Sequence, residues 1–246
     1  MSISALNLLG KACNRFLNLF SLAVYRTGKV ESGARSKNRD SIFFAGVDKN
    51  TARRVFQFEK YLETKNLPGG GVIVEAGVGS GEGLVFLLKL QNYFGDKRSL
   101  WAFDTFAGFP KGHQNDSDDF RKFGKPGYEK YTLRSVKNYL KATGISDSEI
   151  AEVRFIKGFI PETFLLFNPE RVGLLNCDLD LYEPTKQTLD FFWPRMVEGG
   201  IIMLDEYDIG QDSIKWPGAK IAIDQFCEEK DIPLQRGFGN RAFLKK

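Results

Sequence analysis

Residues 71–81, GVIVEAGVGSG, constrain this chain more than any other stretch. Gly71 to Val74 is a short, β-branched apolar run of the kind buried on both faces of a parallel sheet. It ends in Glu75 and then in alternating glycines, Gly77, Gly79 and Gly81. Such glycines let the backbone turn sharply and approach a ligand closely, and Glu82 to Leu90 then starts a helix whose N-terminus faces that ligand. Strand, acid, glycine turn and helix together predict a nucleotide-type site at the edge of an α/β sheet.

Two kinds of nucleotide fit the turn. A dinucleotide requires an acid roughly 20 residues further on to hold a ribose, and Asp104, 27 positions past Gly77, serves either reading. Glu75 favours the other: E-x-G-x-G-x-G resembles motif I of the class I S-adenosylmethionine-dependent methyltransferases. In that family the turn lies against the amino-acid part of the cofactor.

The chain is long enough for one sizeable domain with an N-terminal extension, divided as residues 1–50 and 51–246. A hydrophobic content of 42%, with 22 Phe, argues for a packed core. Net charge is +4, but residues 1–60 carry eleven Lys and Arg against four Asp and Glu. This basic front end is a solvated face or a surface for anions. Cys13, Cys177 and Cys227 have neither paired nor metal-type spacing, which predicts a reducing, cytoplasmic setting. No apolar run reaches about 18 residues, so no transmembrane segment is expected, and no signal peptide is evident.

Residues 3–25 read as an amphipathic helix with Leu6, Leu9, Cys13, Phe16, Leu17, Phe20 and Val24 on one face. That face docks on the main domain or a second subunit, or makes weak contact with a membrane surface. Residues 27–42 read as a linker or a loop over the site. A helix over 51–64, capped by Thr51, opens the main domain. Strands follow at 71–74, 100–103, 153–157, 172–179 and 201–204, with helices at 82–93, 133–143, 184–192 and 218–229. Two closing strands, 233–237 and 241–245, are joined by Phe238-Gly239-Asn240. The expectation is a Rossmann-like, doubly wound α/β fold: a mostly parallel seven-stranded sheet with one antiparallel strand. Residues 111–131 are the most polar segment and predict an insertion that lids the site, carrying the single histidine, His113.

In such a sheet, ligands bind at the carboxyl ends of the strands. Asp178 and Asp180 end the fourth strand, and alternation puts them on one face. Asp205 and Glu206 end the fifth. Hard oxygen donors converging there suit a magnesium ion. The chemistry served is methyl transfer from a sulfonium, in which the enzyme aligns a nucleophile and removes its proton. Asp178 and His113 are the candidate proton acceptors.

CDLDLYEPT, followed by EGGIIMLDEYD and GAKIAIDQF, is similar to the macrocin O-methyltransferase family, and FDTFAGFP and KGFIPETF match its other blocks. The resemblance covers about residues 50–245. It implies the class I methyltransferase fold, methylation of sugar hydroxyls and a homo-oligomer, with magnesium on Asp178, Asp205 and Glu206. It also implies that Glu75, Gly77, Asp104, Phe106, Gly158 and Phe159 line the S-adenosylmethionine site, with Ala76, Gly79, Gly81, Thr105 and Asp178 beside them. The chain departs from the family's two successive aspartates by carrying Asp205-Glu206.

Three other readings stay open: a metal-independent methyltransferase, a dinucleotide-dependent oxidoreductase, and a nucleic-acid methyltransferase. The third lacks the Asn-Pro-Pro-aromatic sequence that holds a flipped base, so nucleic acid is not an expected partner.

Overall fold

A computed structural model describes residues 49–169, 171–209 and 215–246. The expected amphipathic helix over 3–25 and the linker over 27–42 lie outside these residues. Helix α1 (Lys49–Thr64) leads into β1 (Val72–Ala76) and α2 (Glu82–Phe94), then β2 (Leu100–Asp104). Helices α3 (Asp118–Phe123), α4 (Leu133–Ala142) and α5 (Asp147–Glu152) precede β3 (Arg154–Lys157). Strand β4 (Val172–Cys177) and α6 (Tyr182–Phe192) are followed by β5 (Met196–Asp208) and α7 (Pro217–Lys230). Strands β6 (Gln235–Arg236) and β7 (Arg241–Lys245) close the chain.

The seven strands form one sheet in the order β3-β2-β1-β4-β5-β7-β6. Strand β7 runs antiparallel to both of its neighbours, and every other pairing is parallel. This is the expected doubly wound sheet. Its order reverses between β1 and β4, the switch point at which such sheets hold ligands.

Strand alternation sorts the core into two layers. Ile73, Leu100, Ala102, Leu174, Ile201 and Met203 pack with Phe56 and Tyr61 of α1 and Leu84 and Leu87 of α2. Val74, Phe103, Leu175, Ile202 and Leu204 face the other way, against Leu189 and Phe192 of α6 and Ile223 and Phe226 of α7. Phe103 and Phe192 are fully buried, their ring centroids 5.9 Å apart at 71°. Truncating either to Ala would cost about 3–5 kcal/mol, by the lost transfer energy and the cavity left behind.

Several expectations need correction. Helix α1 begins at Lys49, so Thr51 lies in its first turn and does not cap it. The fifth strand runs from Met196 to Asp208, well beyond 201–204, and takes in Gly199 and Gly200, where a turn is expected. The insertion contains a short helix, α3, capped by the Ser117 hydroxyl. Helix α5, with its Ser146–Glu149 capping box, is not expected from the sequence at all. Strand β4 ends at Cys177 and Asp180 has φ 64°, so alternation does not carry as far as Asp180.

Candidate active site

Two contacts between neighbouring strand ends build the site. The Asp178 N–H donates to the Ala76 carbonyl at 2.8 Å, bringing the chain after β4 against the turn after β1. At Gly77, with φ 90°, a Cβ would lie 1.7 Å from the Asp178 carbonyl oxygen, so only glycine permits this approach. The acid that ends β2 then fixes the turn from its other side. Asp104 Oδ2 accepts from the Val78 and Gly79 N–H groups at 2.8 and 3.0 Å, and Oδ1 accepts from the Phe106 N–H at 2.6 Å.

Between these elements lies a cavity of about 380 Å³. One wall is the β1 turn, with Glu75, Gly77, Gly79, Ser80 and Gly83, extended by Asp104, Thr105, Gly158 and Phe159. Asp178, Asp180, Asp205, Glu206 and Arg53 also line the cavity. Lys111, Tyr128 and Tyr131 of the insertion line it too, as do Phe109 and Lys215. The segment expected to lid the site therefore borders it.

Glu75 is 1% exposed, and its Oε2 has no hydrogen-bond partner. Its side chain projects toward α2, where a Cβ at Gly83 would stand 1.9 Å from Oε1. Burial, and then the Asp178 charge, push its carboxyl up to about 8, although Arg53 and Arg54 act in the opposite direction. A buried carboxylate with an unsatisfied oxygen beside a glycine turn fits a ligand that brings positive charge, as the ammonium and sulfonium of S-adenosylmethionine do.

The other acids form two pairs. Asp178 and Asp205 share Arg53: Nη2 lies 2.5 Å from Asp178 Oδ2, and Nε lies 2.8 Å from Asp205 Oδ1 but off the hydrogen-bond direction. Asp180 and Glu206 are neighbours, and the Asp180 charge acts on Glu206. Burial is the first cause for all three raised acids; the Asp178 charge then helps raise Asp180 to about 7, the Asp180 charge helps raise Glu206 to about 9, and the Asp205 charge helps raise Asp178. One oxygen each from Asp178, Asp205 and Glu206 lies within 4.8 Å of the others. This set of hard oxygen donors fits a divalent cation such as magnesium.

Other expected site residues fall elsewhere. Ala76 is fully buried in the core, and Phe106 packs its ring against Phe155. Gly81 caps α2 and faces Val136. None of the three lines the cavity. Nor does His113: its ring stacks on Tyr182, its Nδ1 accepts from the Asn115 N–H, and its Nε2 lies 3.6 Å from Glu183.

The sequence reading passed over Arg53, Tyr128 and Tyr131. Arg53 left one signal: in a helix, an exposed Arg commonly has an acid three or four residues away, and here those positions hold Lys49, Asn50, Phe56 and Gln57.

The family described as macrocin O-methyltransferase (TylF) matches over residues 12–236, so the match reaches well into the segment that the sequence blocks leave aside. The chain is 30% identical over 144 residues to the 8-demethyl-8-(2,3-dimethoxy-alpha-L-rhamnosyl)-tetracenomycin-C 4'-O-methyltransferase of Streptomyces olivaceus, covering 56% of this chain and 54% of that one. It is 29% identical over 168 residues to the mycinamicin III 3''-O-methyltransferase of Micromonospora griseorubida, covering 66% and 62%. The chain thus spans between about half and two thirds of the length of these relatives. Among solved structures, the calicheamicin methyltransferase CalS11 superposes with a TM-score of 0.63 at 26% identity, covering 96% of this chain and 91% of that one. The O-methyltransferase NovP shares the fold, with a TM-score of 0.64 at 22% identity and 80% of each chain covered. The family match takes in most of the chain, glycine turn and acid cluster included, and the chain belongs to the macrocin O-methyltransferase family.

Proposed function

We propose that this protein is an S-adenosylmethionine-dependent O-methyltransferase that methylates a hydroxyl of a sugar or glycosylated small molecule, with magnesium bound by Asp178, Asp205 and Glu206. The observation that carries the reading is the placement of Glu75 and the Asp178–Asp205–Glu206 cluster in the lining of one cavity. The buried Glu75 suits a cationic cofactor and the acid cluster a polar hydroxyl acceptor. The names of the relatives from Streptomyces and Micromonospora, both O-methyltransferases of natural products, support the acceptor class.

In this reading, Glu75 and the β1 turn hold the methionine part of the cofactor. Asp104 holds the ribose with the acceptor capacity left on Oδ1, since Oδ2 already takes two N–H groups. With the Phe106 N–H already on Oδ1, that leaves room for one hydroxyl. The acceptor oxygen attacks the methyl carbon in line with the breaking C–S bond, and the C–S electron pair stays on sulfur. The hydroxyl proton passes to Asp178, the carboxylate beside the glycine turn. When bound, magnesium supplies orientation and acidification of the acceptor hydroxyl. Phe109, Tyr128 and Tyr131 give the cavity an aromatic rim, and such rings stack on sugar faces while excluding water.

Transfer of labelled methyl groups from S-adenosylmethionine to a panel of glycosides and free sugars tests this function. The expected product is a sugar O-methyl ether, formed with magnesium and lost in EDTA. Labelling of nucleic acid, or of no glycoside at all, would contradict the reading.

A further inference from the structure

The cation between Asp178 and Asp205 is Arg53. Packing explains why an α1 residue reaches it: Leu174 of β4 and Ile201 and Met203 of β5 pack with Phe56 and Tyr61 of α1, just before the two acids. The α1 backbone thus lies over the two acids, and a long side chain from its first turns spans the gap. The guanidinium touches one carboxylate through Nη2 and approaches the other through Nε. Its side chain is 23% exposed and Asp205 is 12% exposed, so water screens this contact only partly. Arg241 adds a second, longer approach to Asp205 Oδ1, at 3.5 Å.

These are also two of the three carboxylates that meet the spacing for a metal ion. The guanidinium thus already occupies the side of Asp178 and Asp205 on which their carboxylates converge. A doubly charged ion beside the guanidinium would also meet strong repulsion at such short range. Among the described carboxylates Arg53 forms ion pairs with Asp178 and Asp205 and not with Glu206, so the overlap is confined to the Asp178–Asp205 half of the cluster.

We propose that Arg53 is the resident cation of this cluster and that a divalent ion binds there only by displacing it. This rests on the reading, made above, that the cluster takes a divalent ion. The arginine holds Asp178 and Asp205 together in the metal-free protein and lowers the apparent metal affinity by the fraction of time it is seated. Metal loading thereby becomes coupled to the position of α1, the helix that leads from the N-terminal segment into the domain. Once displaced, the guanidinium stays close to the cavity, where it can meet an acceptor oxygen or the carboxylate of the cofactor.

The test is Mn²⁺ binding to the full chain, read from the free-ion electron paramagnetic resonance signal, in the wild type, Arg53→Met and Arg53→Lys. Arg53→Met should bind Mn²⁺ more tightly, on the order of tenfold, since the competent state is no longer shared with a competitor. Arg53→Lys, which keeps charge but not the two-pronged fork, should fall between. Without metal, Arg53→Met should melt below the wild type, and saturating Mn²⁺ should raise its melting temperature more than it raises that of the wild type. If Arg53→Met fails to fold, the order of Arg53→Lys against the wild type decides. Equal or weaker Mn²⁺ binding by the variants, with the wild type binding, would overturn displacement and leave the metal reading standing. Absence of Mn²⁺ binding in all three would overturn both, and S-adenosylhomocysteine binding in the same samples would show whether the methyltransferase reading survives.

Discussion

Asp104, the acid that ends β2, grips the Gly79 amide at 3.0 Å and so ties the β2 end to the glycine turn after β1. With the Val78 and Phe106 amides also on this carboxylate, one side chain sets the shape of the cofactor wall. Asp104→Ala should therefore weaken S-adenosylhomocysteine binding and also destabilise the empty protein. Hydrogen bonds to a charged group are each worth about 1.5–3 kcal/mol, so the stability loss should be at least of that order. Thermal melts with and without S-adenosylhomocysteine separate the two effects, and an unchanged melt of the empty protein would contradict the structural half.

Glu75 should show opposite effects on stability and binding. Its folded-state value lies at about 8, above the ordinary carboxylate range, chiefly through burial. The stability tied to its protonated form is present at low pH and is lost as pH rises from about 4 through about 8. Glu75→Gln should therefore gain stability over the wild type across that window. The same variant should bind S-adenosylmethionine on the order of tenfold to a hundredfold more weakly, having lost a charged partner. Gly83→Ala, whose Cβ would press on Oε1, should also weaken cofactor binding. Melting curves from pH 5 to 9, paired with calorimetry, check both; a Gln variant with unaltered cofactor affinity would contradict the assignment.

Asp116 fastens the insertion to the site. Its Oδ1 accepts from the Tyr182 N–H at the start of α6 at 2.9 Å, and its Oδ2 accepts from the His113 N–H at 2.7 Å. The carboxylate is 6% exposed. Asp116→Ala removes a helix-terminus partner, worth about 0.5–2 kcal/mol of stability, and frees the wall that carries Phe109 and Tyr128. The acceptor KM should rise while S-adenosylhomocysteine affinity changes little. Steady-state kinetics against a glycoside acceptor would show it, and an unaltered KM would mean that the wall stays in place without this contact.

Away from the cavity, Asp96 should govern part of the acid limb of stability. Burial works to raise its value, but hydrogen bonds from Arg98 and from the Tyr61 hydroxyl at 2.6 Å outweigh burial and hold it below the usual range. A depressed folded value means that the contribution is present above the unfolded value of about 4 and is lost as pH falls through the folded one. Asp96→Asn should cost on the order of 2 kcal/mol at neutral pH, with the deficit shrinking in acid. Denaturant melts at several pH values measure this, and a deficit that stays constant through the acid limb would contradict it.

The sheet was legible because its signals are local. Short β-branched runs such as Val72–Val74, each ending in an acid or a glycine turn, mark parallel strands without help from the rest of the chain. The strand-end acids were legible for the same reason, since sheet topology alone brings Asp178 and Asp205 to one edge. What escaped depends on long-range geometry. The Arg53 contact joins residues 125 positions apart through the packing of α1, and no local period encodes it. The insertion misled for a related reason: the single histidine drew attention by its chemistry, yet its ring is held against Tyr182, while the cavity takes Tyr128 and Tyr131 from the same segment. Asp180 shows where an alternation argument stops: beyond the last paired residue, Cys177, the backbone turns and side-chain direction is set by the loop.

The most direct measurement is calorimetric titration of S-adenosylhomocysteine and, separately, NADH into the purified full chain. The site as described should bind S-adenosylhomocysteine with a Kd in the micromolar range, about −8 kcal/mol, and should not bind NADH, since the Glu75 carboxylate stands where a pyrophosphate would need to approach the turn. Binding of NADH, or of neither ligand, would contradict the assignment of this cavity to a methyl donor.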